Sequence, residues 1–175
     1  MPIDPERAFQ PVRIAILTIS DRRKLSDDRS GDVLVQRAQD AGHELADRKL
    51  VTDDPNRIAA QVRSWLDRDD VDVIIATGGT GITGRDSTPE VFNAIYEKEI
   101  PGFGELFRWL SYTKIGTSTI QSRASAGVAQ GTYLFSLPGS PGACKDAWDD
   151  ILATQLDSRF RPCNFVELMP RLMET

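Results

Sequence analysis

Four glycines, Gly78, Gly79, Gly81 and Gly84, stand in the stretch Val71 to Glu90, VDVIIATGGTGITGRDSTPE. Glycine permits positive φ and lets main-chain N–H groups approach a ligand closely, an arrangement suited to phosphate. Asp86 follows these glycines and Asp53 lies upstream, and a carboxylate pair of this kind suits a hydrated Mg²⁺. A second small-residue turn, Pro138-Gly139-Ser140-Pro141-Gly142, offers another place for main-chain donors. The single histidine, His43, and the distant Cys144 and Cys163 supply neither a clear nucleophile–base pair nor a zinc constellation. Such a set favours charge neutralisation and alignment over a covalent intermediate, and phosphoryl or nucleotidyl transfer fits.

The glycine loop has rival readings. Gly79 to Gly84 spells the dinucleotide fingerprint G-x-G-x-x-G, but in that motif the helix opens within the glycines. Here Asp86-Ser87-Thr88-Pro89 postpones it, and no second strand ending in an acidic residue follows at about 20 residues. The spacing also approaches a P-loop, with Arg85 and Asp86 where Lys and Ser or Thr should stand. A tight turn with no ligand is the plain alternative, although four glycines exceed what a turn needs.

These residues need elements to hold them. Val71 to Ala76 and Val12 to Ser20 are apolar runs of strand length, as expected for strands covered on both faces. Thr88 is expected to cap the helix after the glycine loop, with Pro89 in its first turn, Glu90 complementing its dipole, and the helix reaching Glu97. Ser30-Gly31 opens a helix with Val33, Leu34, Arg37, Ala38 and Ala41 on its apolar face and Gly42 as its stop, and His43 to Thr52 returns as a more polar strand near the sheet edge. Asp54 caps a helix bearing Ile58, Val62, Trp65 and Leu66, so Asp53 falls at a strand's carboxyl end, where open α/β sheets bind ligands. Pro101-Gly102-Phe103-Gly104 leads into a helix with Phe103, Leu106, Phe107 and Leu110, Ser118 to Ala129 reads as another helix, and Thr132 to Leu137 as a buried strand. Ser140 as N-cap and Pro141 then start a helix through Ala147, Trp148 and Ile151, presenting a second set of free N–H groups.

Alternating strands and helices predict a three-layer α/β/α fold with a mostly parallel sheet and the Asp21, Asp53, Gly78 to Asp86 and Gly139-Ser140 turns along one rim. The chain of 175 residues reads as a short tail (1–11), one domain (12–160) and an extended C-terminal tail (161–175). A formal charge of −5 without a basic cluster argues against nucleic acid or an anionic membrane as the main partner. Met1 to Pro11 carries no charged-then-apolar leader and no run approaches a membrane span, so a soluble cytoplasmic protein is expected. Arg22, Arg85, Arg108 and Arg123 are open between anion binding and subunit contacts.

TGGTG followed by GRDSTPE, PGFGE at Pro101 to Glu105, Ser122-Arg123 and LPGSP at Leu137 to Pro141 resemble the MoaB/MogA family of molybdenum cofactor biosynthesis proteins, over about Val12 to Phe165. RIAILTISDRR, KIGTSTIQSRA and RPCNF look more like the MoaB branch. The resemblance implies a molybdopterin-binding fold, a trimer or a hexamer of trimers, and Mg²⁺-dependent transfer of AMP from ATP to molybdopterin, releasing pyrophosphate. Some members of that branch replace the acidic residue of the RD-x-TPE motif, whereas Arg85-Asp86 is intact here. Carried over by position, Asp53 and Asp86 are the catalytic and metal residues. Ser20, Asp21, Gly78, Gly79, Thr80 and Gly81 take the nucleotide, and Pro138, Gly139 and Ser140 take molybdopterin. A downstream molybdate-insertion enzyme is the implied partner. The alternative is a carrier that binds molybdopterin without chemistry.

Overall fold

The computed structural model describes residues 3–174; Met1, Pro2 and Thr175, the ends of the two expected tails, lie outside the described residues. Six strands form one sheet, β1 (Arg13–Ile19), β2 (Glu44–Val51), β3 (Val73–Thr77), β4 (Lys98–Glu99), β5 (Ser125–Ala129) and β6 (Thr132–Leu137), in the order β2-β1-β3-β6-β5-β4. Strands β2, β1, β3 and β6 run parallel, while β5 is antiparallel to both β6 and β4. The expected three-layer α/β architecture is therefore present, with a mixed edge.

Successive residues of a strand point to opposite faces, which explains why apolar residues run without interruption along β1 and β3. Ile14, Ile16, Val73, Ile75, Tyr133 and Phe135 pack on one face with helices α1 (Arg29–Asp40), α4 (Pro101–Ile115) and α5 (Pro141–Ala147). Ala15, Leu17, Ile74, Ala76 and Leu134 pack on the other with α2 (Pro55–Leu66) and α3 (Thr88–Asn93). Ile58, Val62, Trp65 and Leu66 are all buried, and Asp54 caps α2 by accepting from the Asn56 and Arg57 N–H groups. Strand β2 is the polar edge strand that its composition indicated.

Three elements differ from the sequence reading. Ser118 to Ala129 is not a helix: a 3₁₀ segment, Gly116–Gln121, gives way to β5. Gln130 and Gly131 both adopt positive φ (49° and 76°), which closes a tight two-residue hairpin into β6. Pairing with β6 overrides the helix propensity of the alanines. Helix α3 stops at Asn93 rather than Glu97, because Glu97 N–H donates to the Val128 carbonyl and leads the chain into β4. The C-terminal segment, expected to be extended, contains α7 (Phe165–Leu168), following the short α6 (Ala153–Gln155), and the Phe165 ring packs at a tilt against Tyr133 and Phe135.

The lone His43 is structural. It is buried between Phe9 and Trp148, and its Nδ1 accepts from the Val12 N–H at 3.3 Å. Burial lowers its pKa and the Asp157 carboxylate only partly opposes this. A folded pKa below the unfolded value gives stability that is complete above about pH 6.5 and is lost as pH falls toward the folded value. Urea midpoints should therefore drop between about pH 7.5 and about pH 5.5, and His43→Gln, which retains an acceptor but does not titrate, should flatten that slope.

Candidate functional site

The carboxyl ends of β1, β3 and β6 meet at one rim. Gly78 has φ 109°, and a Cβ there would lie 2.1 Å from the Ile19 carbonyl oxygen. Gly79 has φ 63°, with Thr88 Oγ1 and Asp53 Oδ1 at 2.4 and 3.0 Å from a built Cβ. A Cβ on Gly81 would meet Asp86 Oδ2 at 2.8 Å, whereas nothing lies within 4 Å of one on Gly84. Positive φ and close approach thus require glycine at Gly78 and Gly79, Gly81 is crowded only by the Asp86 side chain, and Gly84 is unconstrained.

Thr88 does not cap α3. Ser87 occupies the N-cap position, and Thr88 Oγ1 donates to the Gly78 carbonyl at 2.9 Å, tying the helix start back to the loop. Among the described residues, each helix start keeps one free donor, the N–H of Glu90 in α3 and that of Gly142 in α5, and Gly142 lines the cleft at this rim; the rest of the array that the sequence indicated is occupied. Thr88 N–H donates to the Gly79 carbonyl, Ala143 N–H to Ser140 Oγ and Cys144 N–H to the Ser140 carbonyl, and Pro89 and Pro141 have no N–H. Most of the unpaired donors sit in the turns themselves. Among the described residues, the N–H groups of Gly79, Thr80, Gly139 and Ser140 meet no protein acceptor. All four residues line a cleft of about 560 Å³, together with Gly81, Asp86 and Pro138.

Asp86 closes the loop on itself, since its Oδ2 accepts from Thr83 N–H (2.9 Å) and Thr83 Oγ1 (2.6 Å). Burial alone would raise its pKa, but these bonds, with one from the Gly81 main chain, together hold it below the usual carboxylate range. Arg123, open between two roles in sequence, pins the same loop. Its Nε donates to the Gly81 carbonyl (2.7 Å) and Nη2 to the Asp86 carbonyl (2.6 Å), and its Nη1 pairs with Glu90. Arg108 donates to the Ala124 carbonyl and Arg85 pairs with Asp21.

Asp53 and Asp21, outside the cleft lining, form a reciprocal pair: Asp21 N–H donates to Asp53 Oδ2 and Asp53 N–H to Asp21 Oδ1, both at 3.1 Å. Burial, and then the charges of Asp21 and Asp86, raise the Asp53 pKa despite the Asp21 N–H and Arg85. Hard oxygen donors crowded until their charges repel are the kind of set that a divalent cation relieves. No group of three or more His, Cys, Asp or Glu residues gathers at metal-binding spacing among the described residues. These residues therefore fit Mg²⁺ that keeps water and substrate phosphates as most of its ligands, its ordinary habit.

The structure brings the sequence-derived residues around one loop. Thr80, Gly81, Asp86, Pro138, Gly139 and Ser140 line the cleft, Ser20, Asp21, Asp53 and Gly78 lie outside its lining, and Gly79 lines the cleft with Asp53 beside it. The opposite wall was missed as site: Phe107, Ser111 and Lys114 of α4, with Thr119 and Ser122 after it, line the cleft. The hydroxyl-rich run KIGTSTIQSR carries the only sequence signal for that wall.

A cleft with main-chain donors from two turns and flanking carboxylates, at the carboxyl edge of a mostly parallel α/β sheet, has the chemistry to accept an anionic ligand. The family model described as "Probable molybdopterin binding domain" matches residues 15–158, and the chain belongs to this molybdenum cofactor biosynthesis family. It is 53% identical over 157 residues to molybdenum cofactor biosynthesis protein B of Escherichia coli (strain K12), covering 90% of this chain and 92% of that protein. A crystal structure of a molybdenum cofactor biosynthesis protein B superposes with a TM-score of 0.87 at 38% identity, over 97% of this chain and 100% of that one. The molybdopterin biosynthesis enzyme MoaB of Thermus thermophilus gives a TM-score of 0.72 at 33% identity, over 81% and 89%.

Gly78→Ala should destabilise the protein by about 1–3 kcal/mol or more, because the clash is with backbone and the φ is positive. Gly84→Ala should fall within about 0.5 kcal/mol of the native chain. Urea denaturation of the two variants side by side checks this.

Proposed function

We propose that this chain is a Mg²⁺-dependent nucleotidyltransferase that moves AMP from ATP to the terminal phosphate of molybdopterin. The observation that carries the reading is the convergence of four unpaired main-chain N–H groups, from Gly79, Thr80, Gly139 and Ser140, on one cleft. Two turns suit two phosphate-bearing substrates. The similarity to a relative described as a molybdopterin biosynthesis enzyme supports an activity in this pathway.

In this reading the Gly78 to Gly81 loop, with Ser20 and Asp21, holds the nucleotide, and Gly139 and Ser140, backed by Pro138, orient the molybdopterin phosphate. A phosphate oxygen of molybdopterin attacks the α-phosphorus, the α–β P–O bond breaks, and pyrophosphate leaves. Asp53 and Asp86 would hold Mg²⁺, which when bound supplies neutralisation of charge on the triphosphate. Because ionised Asp53 lies among like charges, its preference for a cation is set before substrate arrives.

The reaction is assigned to the cytoplasm, and no helix among the described residues is long and apolar enough to cross a membrane. Self-association as a trimer, or a hexamer of trimers, accounts for the apolar side chains exposed on α4 and after it, among them Trp109 at 66% and Ile120 at 82% exposure. A molybdate-insertion enzyme would consume the adenylylated product. One observation favours a non-catalytic carrier instead, namely that the Asp86 carboxylate is already engaged by Thr83.

Purified protein given molybdopterin, ATP and Mg²⁺ should yield adenylylated molybdopterin and pyrophosphate. Asp53→Asn, which retains an acceptor for the Asp21 N–H, should lower turnover by on the order of 100-fold or more while molybdopterin binding stays within about threefold. Tight molybdopterin binding with no product from the native chain would instead establish the carrier.

A further inference from the structure

The two peptide groups that carry the unpaired Gly139 and Ser140 N–H donors are held from behind. The Pro138 carbonyl accepts from Thr77 Oγ1 at 2.9 Å, with Cys144 Sγ at 3.7 Å. The Gly139 carbonyl accepts from Ser30 Oγ at 2.8 Å and from Arg23 Nη2 at 3.1 Å, and Arg23 Nη1 donates to Ser30 Oγ at 2.9 Å. A trans peptide is planar, with its N–H opposite its C=O. Holding the Pro138 and Gly139 carbonyls therefore aims the Gly139 and Ser140 N–H groups the other way.

We propose that Ser30, together with Arg23, is a positioning residue that fixes the Gly139–Ser140 peptide so that its N–H donates to a phosphate oxygen in the cleft. Ser30 is fully buried, and its placement is itself built in. Asp28, also fully buried, caps α1 by accepting from Gly31 N–H at 3.0 Å, and is held by Thr18 Oγ1 (2.6 Å) and Arg48 Nη2 (2.9 Å). That anchors the first turn of α1 to the end of β1 and to β2, and Ser30 lies in this turn. Arg23 is anchored at its other end, where its N–H and that of Arg22 both donate to Ser20 Oγ at 3.2 Å. The segment carrying Ser20 and Asp21 on the nucleotide side thus also carries the guanidinium that holds the turn on the pterin side. A flexible Gly139 peptide without this clamp would have to be ordered by the ligand, at a cost in affinity.

The inference rests on the reading of the Gly139–Ser140 turn as the molybdopterin phosphate site, but its test does not depend on adenylyl transfer. In ¹⁵N–¹H spectra, titration with inorganic phosphate should shift the Gly139 and Ser140 amides of the native chain. Ser30→Ala should weaken that response about tenfold, and Arg23→Met should weaken it by a smaller factor. Because Arg23 is only half-buried, the melting temperature of Arg23→Met should fall by less than that of Ser30→Ala. In turnover, both variants should raise KM for molybdopterin while KM for ATP holds, a split that general loosening of the fold does not produce. Amides that ignore phosphate in the native chain, or that respond equally in Ser30→Ala, would overturn the assignment. Shifted amides in a protein that forms no product would support the clamp and reject the transferase alone.

Discussion

The Ile19 carbonyl oxygen lies 2.1 Å from where a Cβ on Gly78 would stand, and the Gly78 Cα lies 3.2 Å from where one on Gly139 would stand. Three strand ends, from β1, β3 and β6, therefore meet with no side chain between them. Every other feature of the site follows from this contact. It brings the two turns to one cleft, and it places Asp53, at the end of β2, beside Gly79. A parallel sheet makes the meeting natural, because neighbouring strands deliver their carboxyl ends to the same edge.

Close packing of bare backbone leaves two groups of polar side chains beside the loop. Outside the cleft lining, the carboxylates of Asp21 and Asp53 each accept from the other's main-chain N–H, and Asp53 is pushed up by burial and by its neighbours' charge. The cleft itself is lined by main-chain donors and hydroxyls together with Asp86, Asp146 and Lys114. The loop keeps its shape through bonds to its own neighbourhood: Asp86 to Thr83, Thr88 to Gly78, Arg123 to the Gly81 and Asp86 carbonyls. Arginines that look in sequence like anion ligands are mostly occupied with carbonyls and carboxylates of the protein itself, as buried acceptors require.

The antiparallel edge has its own consequence. By turning back at Gln130-Gly131, the chain sends β5 alongside β6, and α4 with the 3₁₀ segment after it forms the far wall of the cleft. Phe103 and Phe107 anchor α4 in the core, so Ser111 and Lys114, one and two turns further on, are carried to the cleft by a rigid helix rather than a loop.

The sequence by itself determined the local elements whose physics is local. Apolar runs marked β1, β3 and β6, the Asp54-Pro55 and Ser140-Pro141 pairs marked helix starts, and glycine clusters marked the turns, because propensity, capping and positive φ are properties of a few adjacent residues. It also carried the family motifs and, through the alternation of strands and helices, the layer order. What only the tertiary structure decided is how groups distant in the chain share hydrogen bonds. Ser125 to Ala129 became a strand because β6 offered a partner, and Thr88 turned from cap to tether because the fold sets the Gly78 carbonyl within hydrogen-bond reach of its hydroxyl. Ser30 and Arg23 hold a carbonyl 109 and 116 residues away. No window of sequence contains both halves of such a bond, and its energy exists only once the sheet has brought the strand ends together.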